Sequence, residues 1–96
     1  MDDSSAKKNC LGFAMKAGKV VSGDFAVEKA VKSFKAKCIV IDTAASDNTK
    51  KRWQDACKPR EIPIVELTEM GRAIGRDAKM VAAVLDAGFA SRLIKK

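Results

Sequence analysis

Hydrophobic and polar positions along this chain switch repeatedly between a helical and an extended period. Lys7–Ala17 puts Cys10, Phe13, Ala14 and Ala17 at helical spacing, and Gly18 supplies a C-terminal stop. Ahead of it, residues 1–6 are polar and read as frayed. A short extended piece, Lys19–Ser22, follows, and Ser22 stands where it can cap a second helix across Gly23–Phe34. Cys38–Ile41 is an apolar, β-branched run, the mark of a buried strand. Ser46 is placed to cap a third helix from Asp47 to Lys58, with Trp53, Ala56 and Cys57 on its apolar side and Pro59 blocking its continuation. Ile62–Leu67 reads as the next strand, with Pro63 tolerated near its start or on an edge. Thr68 can cap a short helix to Ile74, ended by Gly75. Met80–Leu85 reads as a central strand, and Ala87–Lys95 as a last helix with Phe89 and Leu93 one turn apart.

Strands and helices alternating on short connections predict an α/β layered fold, with helices on both faces of a small sheet. Ninety-six residues leave no room for a second core, so residues 1–96 are expected to form a single domain. With 47% hydrophobic and 32% charged residues, the balance is that of an ordinary globular chain. Charge changes the picture more. Nineteen Lys and Arg against twelve Asp and Glu give a net charge of +7, and there is no His. Without imidazole there is no Ser-His-Asp triad, no Cys-His pair and no His-ligated metal. A basic excess with so little catalytic equipment points to a polyanionic partner.

Three cysteines, Cys10, Cys38 and Cys57, form no CxxC pair, and each lies in apolar surroundings. They read as reduced, buried hydrophobes in a reducing, cytoplasmic compartment, with no zinc ribbon, no other metal site and no cofactor expected. The first ten residues lack the apolar region of a signal peptide. The longest apolar runs, Cys38–Ile41 and Met80–Leu85, fall far short of the roughly 20 residues that span a bilayer, so no membrane partner is expected.

The second helix carries the most informative face. At about 100° per residue, Val27, Ala30, Val31 and Phe34 gather on one side, while Lys29 and Lys32 fall within about 40° of Phe25 on the other. An aromatic flanked by lysines and turned from the core suits nucleic acid, the ring stacking on a base and the ammonium groups neutralising phosphates. Gly23 and its neighbours add backbone N–H donors at the helix start. Asp24 would repel a phosphate, but its carboxylate could accept hydrogen bonds from a guanine edge. The plainer alternative has Phe25 folded back over the sheet edge and the lysines merely solvating a helix face. Lys50-Lys51-Arg52 early in the third helix oppose its dipole slightly, and Arg72, Arg76 and Lys79 form a third basic group. Asp42 and Asp86 end strands, where α/β sites gather, yet a lone carboxylate there is more often a cap or turn former. With no GxGxxG or Walker A pattern either, no catalytic constellation is found and the chain reads as a non-enzyme.

Motifs spread over four-fifths of the chain then carry a resemblance: LGFAMKAGKVVSG, AVEKAVKSFKAKCIVI, ASDNTKKRW, EMGRAIGRDAK and VAAVLDAGFA, in that order. From about Leu11 to Phe89 the sequence resembles the L7Ae/L30e ribosomal protein family, in its small bacterial YlxQ-like branch. The resemblance implies a three-layer α/β/α sandwich with a small mixed sheet of about four strands. It also implies a monomer binding structured RNA, either ribosomal or another RNA containing a kink-turn with tandem sheared G·A pairs. In the family a Gly-x-Asn-Glu-x-x-Lys pattern at the start of the second helix enters the RNA groove. Its glycine is Gly23 here and its lysine Lys29, while Phe25 and Ala26 stand at the asparagine and glutamate positions. That departure removes the groups that would read the G·A edges. The loop before the last strand, about Arg76–Val81 with Lys79 and Met80, would complete the cleft. Lys19, ahead of the first strand, and Lys32 join the expected RNA surface. A competing reading is a protein-interaction or self-association module of the same fold, anchored by an exposed Phe25.

Overall fold

The computed structural model describes residues 3–75 and 79–94. Among them the elements run α1 (Asp3–Lys16), β1 (Val20–Ser22), α2 (Asp24–Lys32), β2 (Cys38–Asp42), α3 (Asp47–Cys57), β3 (Ile64–Leu67), α4 (Met70–Ala73), β4 (Val81–Val84) and α5 (Ala87–Ile94), with one 3-10 turn at Lys58–Arg60. The four strands form one mixed sheet in the order β1-β4-β2-β3. β4 is antiparallel to both β1 and β2, and β2 is parallel to β3. Every residue of β2 and β4 is buried, as an apolar run covered on both faces requires.

Because side chains alternate along a strand, the two central strands feed two cores. Cys38, Val40, Ala82 and Val84 face Leu11, Ala14, Met70 and Leu93 from α1, α4 and α5. Ile39, Ile41, Val81 and Ala83 face Val27, Val31, Trp53 and Cys57 from α2 and α3. The result is the expected three-layer sandwich. Asp86 accepts hydrogen bonds from the Gly88 and Phe89 N–H groups at 2.7 and 3.2 Å and so caps α5. Ser46 caps α3 by accepting from Thr49 N–H at 3.2 Å.

Several expected boundaries move, each for a local reason. α1 begins at Asp3 rather than Lys7, since acidic and hydroxyl residues favour a helix start. Its core side is Leu11 and Ala14; Phe13 and Ala17 point outward. Ser22 is not a cap: it pairs with Ala82 in the sheet, and Gly23 takes the N-cap position with no side-chain cap. α2 ends at Lys32, because Phe34 is in the left-handed region (φ 60°) as the chain turns towards β2. Phe34 is therefore exposed rather than core, with the Arg60 guanidinium 5.9 Å from its ring. β3 starts at Ile64, and Pro63 contributes only its carbonyl, accepting from Ile39 N–H at 2.9 Å. Thr68 does not cap α4. Glu69 occupies that position with φ 56°, and the Met70 N–H is taken by Asp42 instead. β4 begins at Val81, leaving Met80 exposed before it.

Candidate functional site

The carboxyl ends of β1, β2 and β3 and the amino end of β4 lie along one rim of the sheet, as their pairing dictates. Helices α2 and α3 start there, the side of an α/β sheet where ligands gather. Backbone bonds stitch the rim together: Gly23 N–H to the Val81 carbonyl (3.1 Å), Asp42 N–H to Met80 (2.9 Å) and Thr43 N–H to Leu67 (3.1 Å). Asp42 is buried at 6% exposure, and both its oxygens are taken by backbone N–H groups, Ala44 at 2.8 Å and Met70 at 3.1 Å. It braces the β2–α3 turn against α4, and Asp86 is equally committed to its cap, so both strand-end carboxylates serve as local caps and braces.

The start of α2 is the most developed part of this rim. Gly23 has φ 89° and ψ 153°, a conformation nearly confined to glycine that costs an L side chain about 1–3 kcal/mol. A Cβ there would also come within 3.2 Å of Lys79 Nζ, so the lysine chain lies across the glycine. Gly23, Asp24, Thr49, Lys79, Met80 and Val81 line a shallow groove of about 280 Å³. On the outer face of the helix, Phe25, Glu28, Lys29, Lys32 and Ser33 line a second groove of about 410 Å³. Phe25 is 82% exposed, so it stands out from the helix and does not fold back over the sheet edge. Val27, Ala30 and Val31 hold the opposite side in the core, which fixes the outward direction of Phe25 and Lys29.

The charges on this face differ in their engagement. Lys32 Nζ pairs with Glu28 Oε1 at 3.1 Å, and Asp24 Oδ2 is 3.5 Å from Arg52 Nη1. Lys29 is exposed and forms no ion pair among the described residues. Lys79 is likewise exposed, whereas Lys50 of the α3 basic cluster is tied to Glu66 at 3.2 Å. Ala26 is half-buried on α2 and lines neither groove. Lys19 stands at the other end of β1, where its carbonyl accepts from Leu85 N–H, and also lines neither groove. Arg76 lies outside the described residues.

The sequence did not single out Thr49, and it marked Arg52 only as part of the Lys50-Lys51-Arg52 cluster, without its partners. Thr49 reaches the Gly23 groove from α3, and Arg52 crosses from α3 to α2. A signal for Arg52 existed: Asp24 and Glu28 are like charges at i,i+4, which need a cation opposite.

A third groove, of about 460 Å³, lies on the other layer between α1 and α4, where Phe13, Lys16, Lys8 and Arg72 surround Glu69. Hydrogen bonding and charge from Arg72, with charge from Lys8, hold the Glu69 carboxyl below its ordinary range. The cysteines are all free thiols. Burial pushes Cys38 up to about 12 and raises Cys10 and Cys57 as well, which leaves little thiolate for nucleophilic chemistry. Among the described residues no group of three or more His, Cys, Asp or Glu side chains could hold a metal ion. No helix among them is long and apolar enough to cross a membrane.

Residues 5–94 match the ribosomal protein L7Ae/L30e/S12e/Gadd45 family. The RNA-binding protein YlxQ of Bacillus subtilis (strain 168) is 40% identical over 87 residues, covering 88% of this chain and 87% of that protein. The RNA-binding protein YlxQ of Enterococcus faecium is 34% identical over 97 residues, covering 96% and 93%. Among solved structures, a protein of unknown function from Bacillus halodurans C superposes with a TM-score of 0.84 at 33% identity, over 91% of each chain. The Giardia lamblia 15.5kD RNA binding protein gives 0.77 at 18% identity, over 97% of this chain and 89% of that one, a likeness of fold.

Proposed function

The chain belongs to the ribosomal protein L7Ae/L30e/S12e/Gadd45 family, and we propose on that premise that it is a non-catalytic, cytoplasmic binder of structured RNA. The contact surface is the start of α2 together with the loop before β4, and the RNA is of the kink-turn kind and ribosome-associated. The observation that carries this reading is Lys29, exposed and outside every ion pair on its face, one turn from the outward-facing Phe25 and beside the glycine-led start of α2. Gly23 allows close backbone approach. Lys29 and Lys79 neutralise phosphates from two sides, and Phe25 stacks on a base where the family pattern has a polar reader. The two relatives named RNA-binding protein YlxQ support the same partner class.

A gel-shift series tests this with three RNAs: a kink-turn with intact G·A pairs, the same RNA with those pairs replaced, and a plain duplex. Preference for the first with a log–log salt slope of roughly −3 to −5, as four to six neutralised phosphates give, is the expected outcome. Equal affinity for all three would reduce the interaction to charge alone. The 82% exposure of Phe25 favours one second reading, a self-association surface on α2. Analytical ultracentrifugation separates them, since a concentration-dependent dimer abolished by Phe25→Ala supports self-association and a monomer at all concentrations supports the RNA surface.

A further inference from the structure

Asp24 and Glu28 stand one turn apart on α2, on the same flank of the helix beside the groove-lining Phe25. On a surface that meets a polyanion such a pair is a liability, and Asp24 lies directly beside Gly23, where a phosphate would come closest. α3 supplies the answer. Arg52 Nη1 is 3.5 Å from Asp24 Oδ2, and its Nη2 is 3.9 Å from Glu28 Oε2. The guanidinium is backed by the indole of buried Trp53, whose ring centre is 4.8 Å from Cζ. Arg52 itself lines neither groove on this face, whereas Asp24 lines one and Glu28 the other. Only a planar, forked cation can bridge two carboxylates while stacking on a ring. Glu28 is further offset by Lys32, so Asp24 depends on Arg52 alone for a partner among the described residues.

We propose that Arg52 is a positioning residue: it pairs with the Asp24 carboxylate and turns it to α3, which opens the start of α2 to an RNA backbone. This rests on the RNA-binding reading above. Arg52 acts through Asp24 and does not itself touch the RNA. Its removal therefore matters only while position 24 carries a negative charge.

Fluorescence anisotropy with a labelled RNA hairpin, interrupted by an internal loop with tandem G·A pairs, tests this on the full chain. Arg52→Ala should weaken binding about fivefold, the upper range for an exposed ion pair. In an Asp24→Asn background the same change should cost no more than about twofold, whatever the affinity of Asp24→Asn itself, the coupling that a double-mutant cycle isolates. The salt slope of Arg52→Ala should equal that of wild type, because no phosphate contact is lost. Far-UV circular dichroism reports whether each variant is folded, because Arg52 stacks on Trp53 and its loss alone alters the indole emission, with Arg52→Gln as the alternative if Arg52→Ala is not folded. An equal loss in both backgrounds with a slope reduced by about one would mean direct phosphate contact and overturn the proposal. So would an Arg52→Ala that binds like wild type. A wild-type protein that fails to bind at low salt brings down the RNA reading itself, an outcome distinct from lost coupling in a protein that binds.

Discussion

α1 and α2 each raise a phenylalanine away from the core and place a lysine close by, yet the two surfaces are built differently. Around Phe13 the basic side chains converge on an acid: Glu69 lies 2.8 Å from Arg72 and 4.0 Å from Lys8, so much of the local charge is cancelled. Around Phe25 the acids are answered from the side, by Arg52 and Lys32, and Lys29 is left outside the network. The α2 surface also begins at a helix start, where residues 24–26 precede the first intrahelical bond, from Val27 N–H to the Gly23 carbonyl, whereas Phe13 sits in the last turn of α1 and its carbonyl accepts from Ala17 N–H. An aromatic among lysines thus occurs on both faces, and their charge networks set the two apart. What differs is which charges remain uncommitted and whether backbone donors lie within reach.

The largest effect expected from this contrast is on stability and belongs to the α1 layer, where Cys38 is buried. Its thiol is pushed up to about 12 in the folded chain, above its value when unfolded, so the folded form holds its proton more tightly. That contribution is complete below about pH 9 and is lost as the pH rises towards 12, at about 1.4 kcal/mol per pH unit, or roughly 3 kcal/mol between pH 9 and 11. Urea unfolding followed by Trp53 emission should show the decline, and Cys38→Ala should flatten it. Next comes the charge test between the layers. Lys29→Glu should weaken RNA binding by about fiftyfold, while Lys16→Glu on α1 should cost no more than about threefold, with both variants folded. Equal losses would erase the distinction drawn here.

The aromatic pair offers a finer version. Phe25→Ala should reduce affinity about tenfold if the ring stacks on a base, and Phe13→Ala less than about twofold. The backbone test is read on another scale: Gly23→Ala should lower stability by about 1–3 kcal/mol through its positive φ, read from thermal melts. The same variant should weaken RNA binding, since its Cβ displaces Lys79.

Much of this architecture could be read from the chain. β2 and β4 announce themselves as apolar runs with no polar face, and Ser46 ahead of Asp47 is a cap whose partner lies three residues away. The outward face of α2 was legible because Val27, Ala30 and Val31 leave only one side for the core. α1 was harder: Leu11 with Ala14 and Phe13 with Ala17 offer competing apolar stripes, and only packing against Met70 and Leu93 selects the first. Phe34 misleads for a similar reason, since it continues the helical stripe but the turn towards β2 intervenes. Arg52 could not be placed from local pattern, because its partners lie on another helix, 28 and 24 residues away in sequence. The identity of the Met70 donor's partner was equally hidden, as Asp42 belongs to a strand far upstream.

The strand order has a consequence for how the molecule comes into being. β4 is last of the four strands in the chain but sits between β1 and β2, which touch nothing of each other without it. A nascent chain that has emerged only through α4 has an unzipped sheet, with β1 unpaired and the start of α2 lacking the Val81 carbonyl that anchors Gly23. Folding must wait for distant segments to meet, which makes closure of the sheet a late and cooperative event during synthesis. The start of α2 thus gains the bond that anchors Gly23 only when β4 arrives, and this rim of the sheet is assembled last.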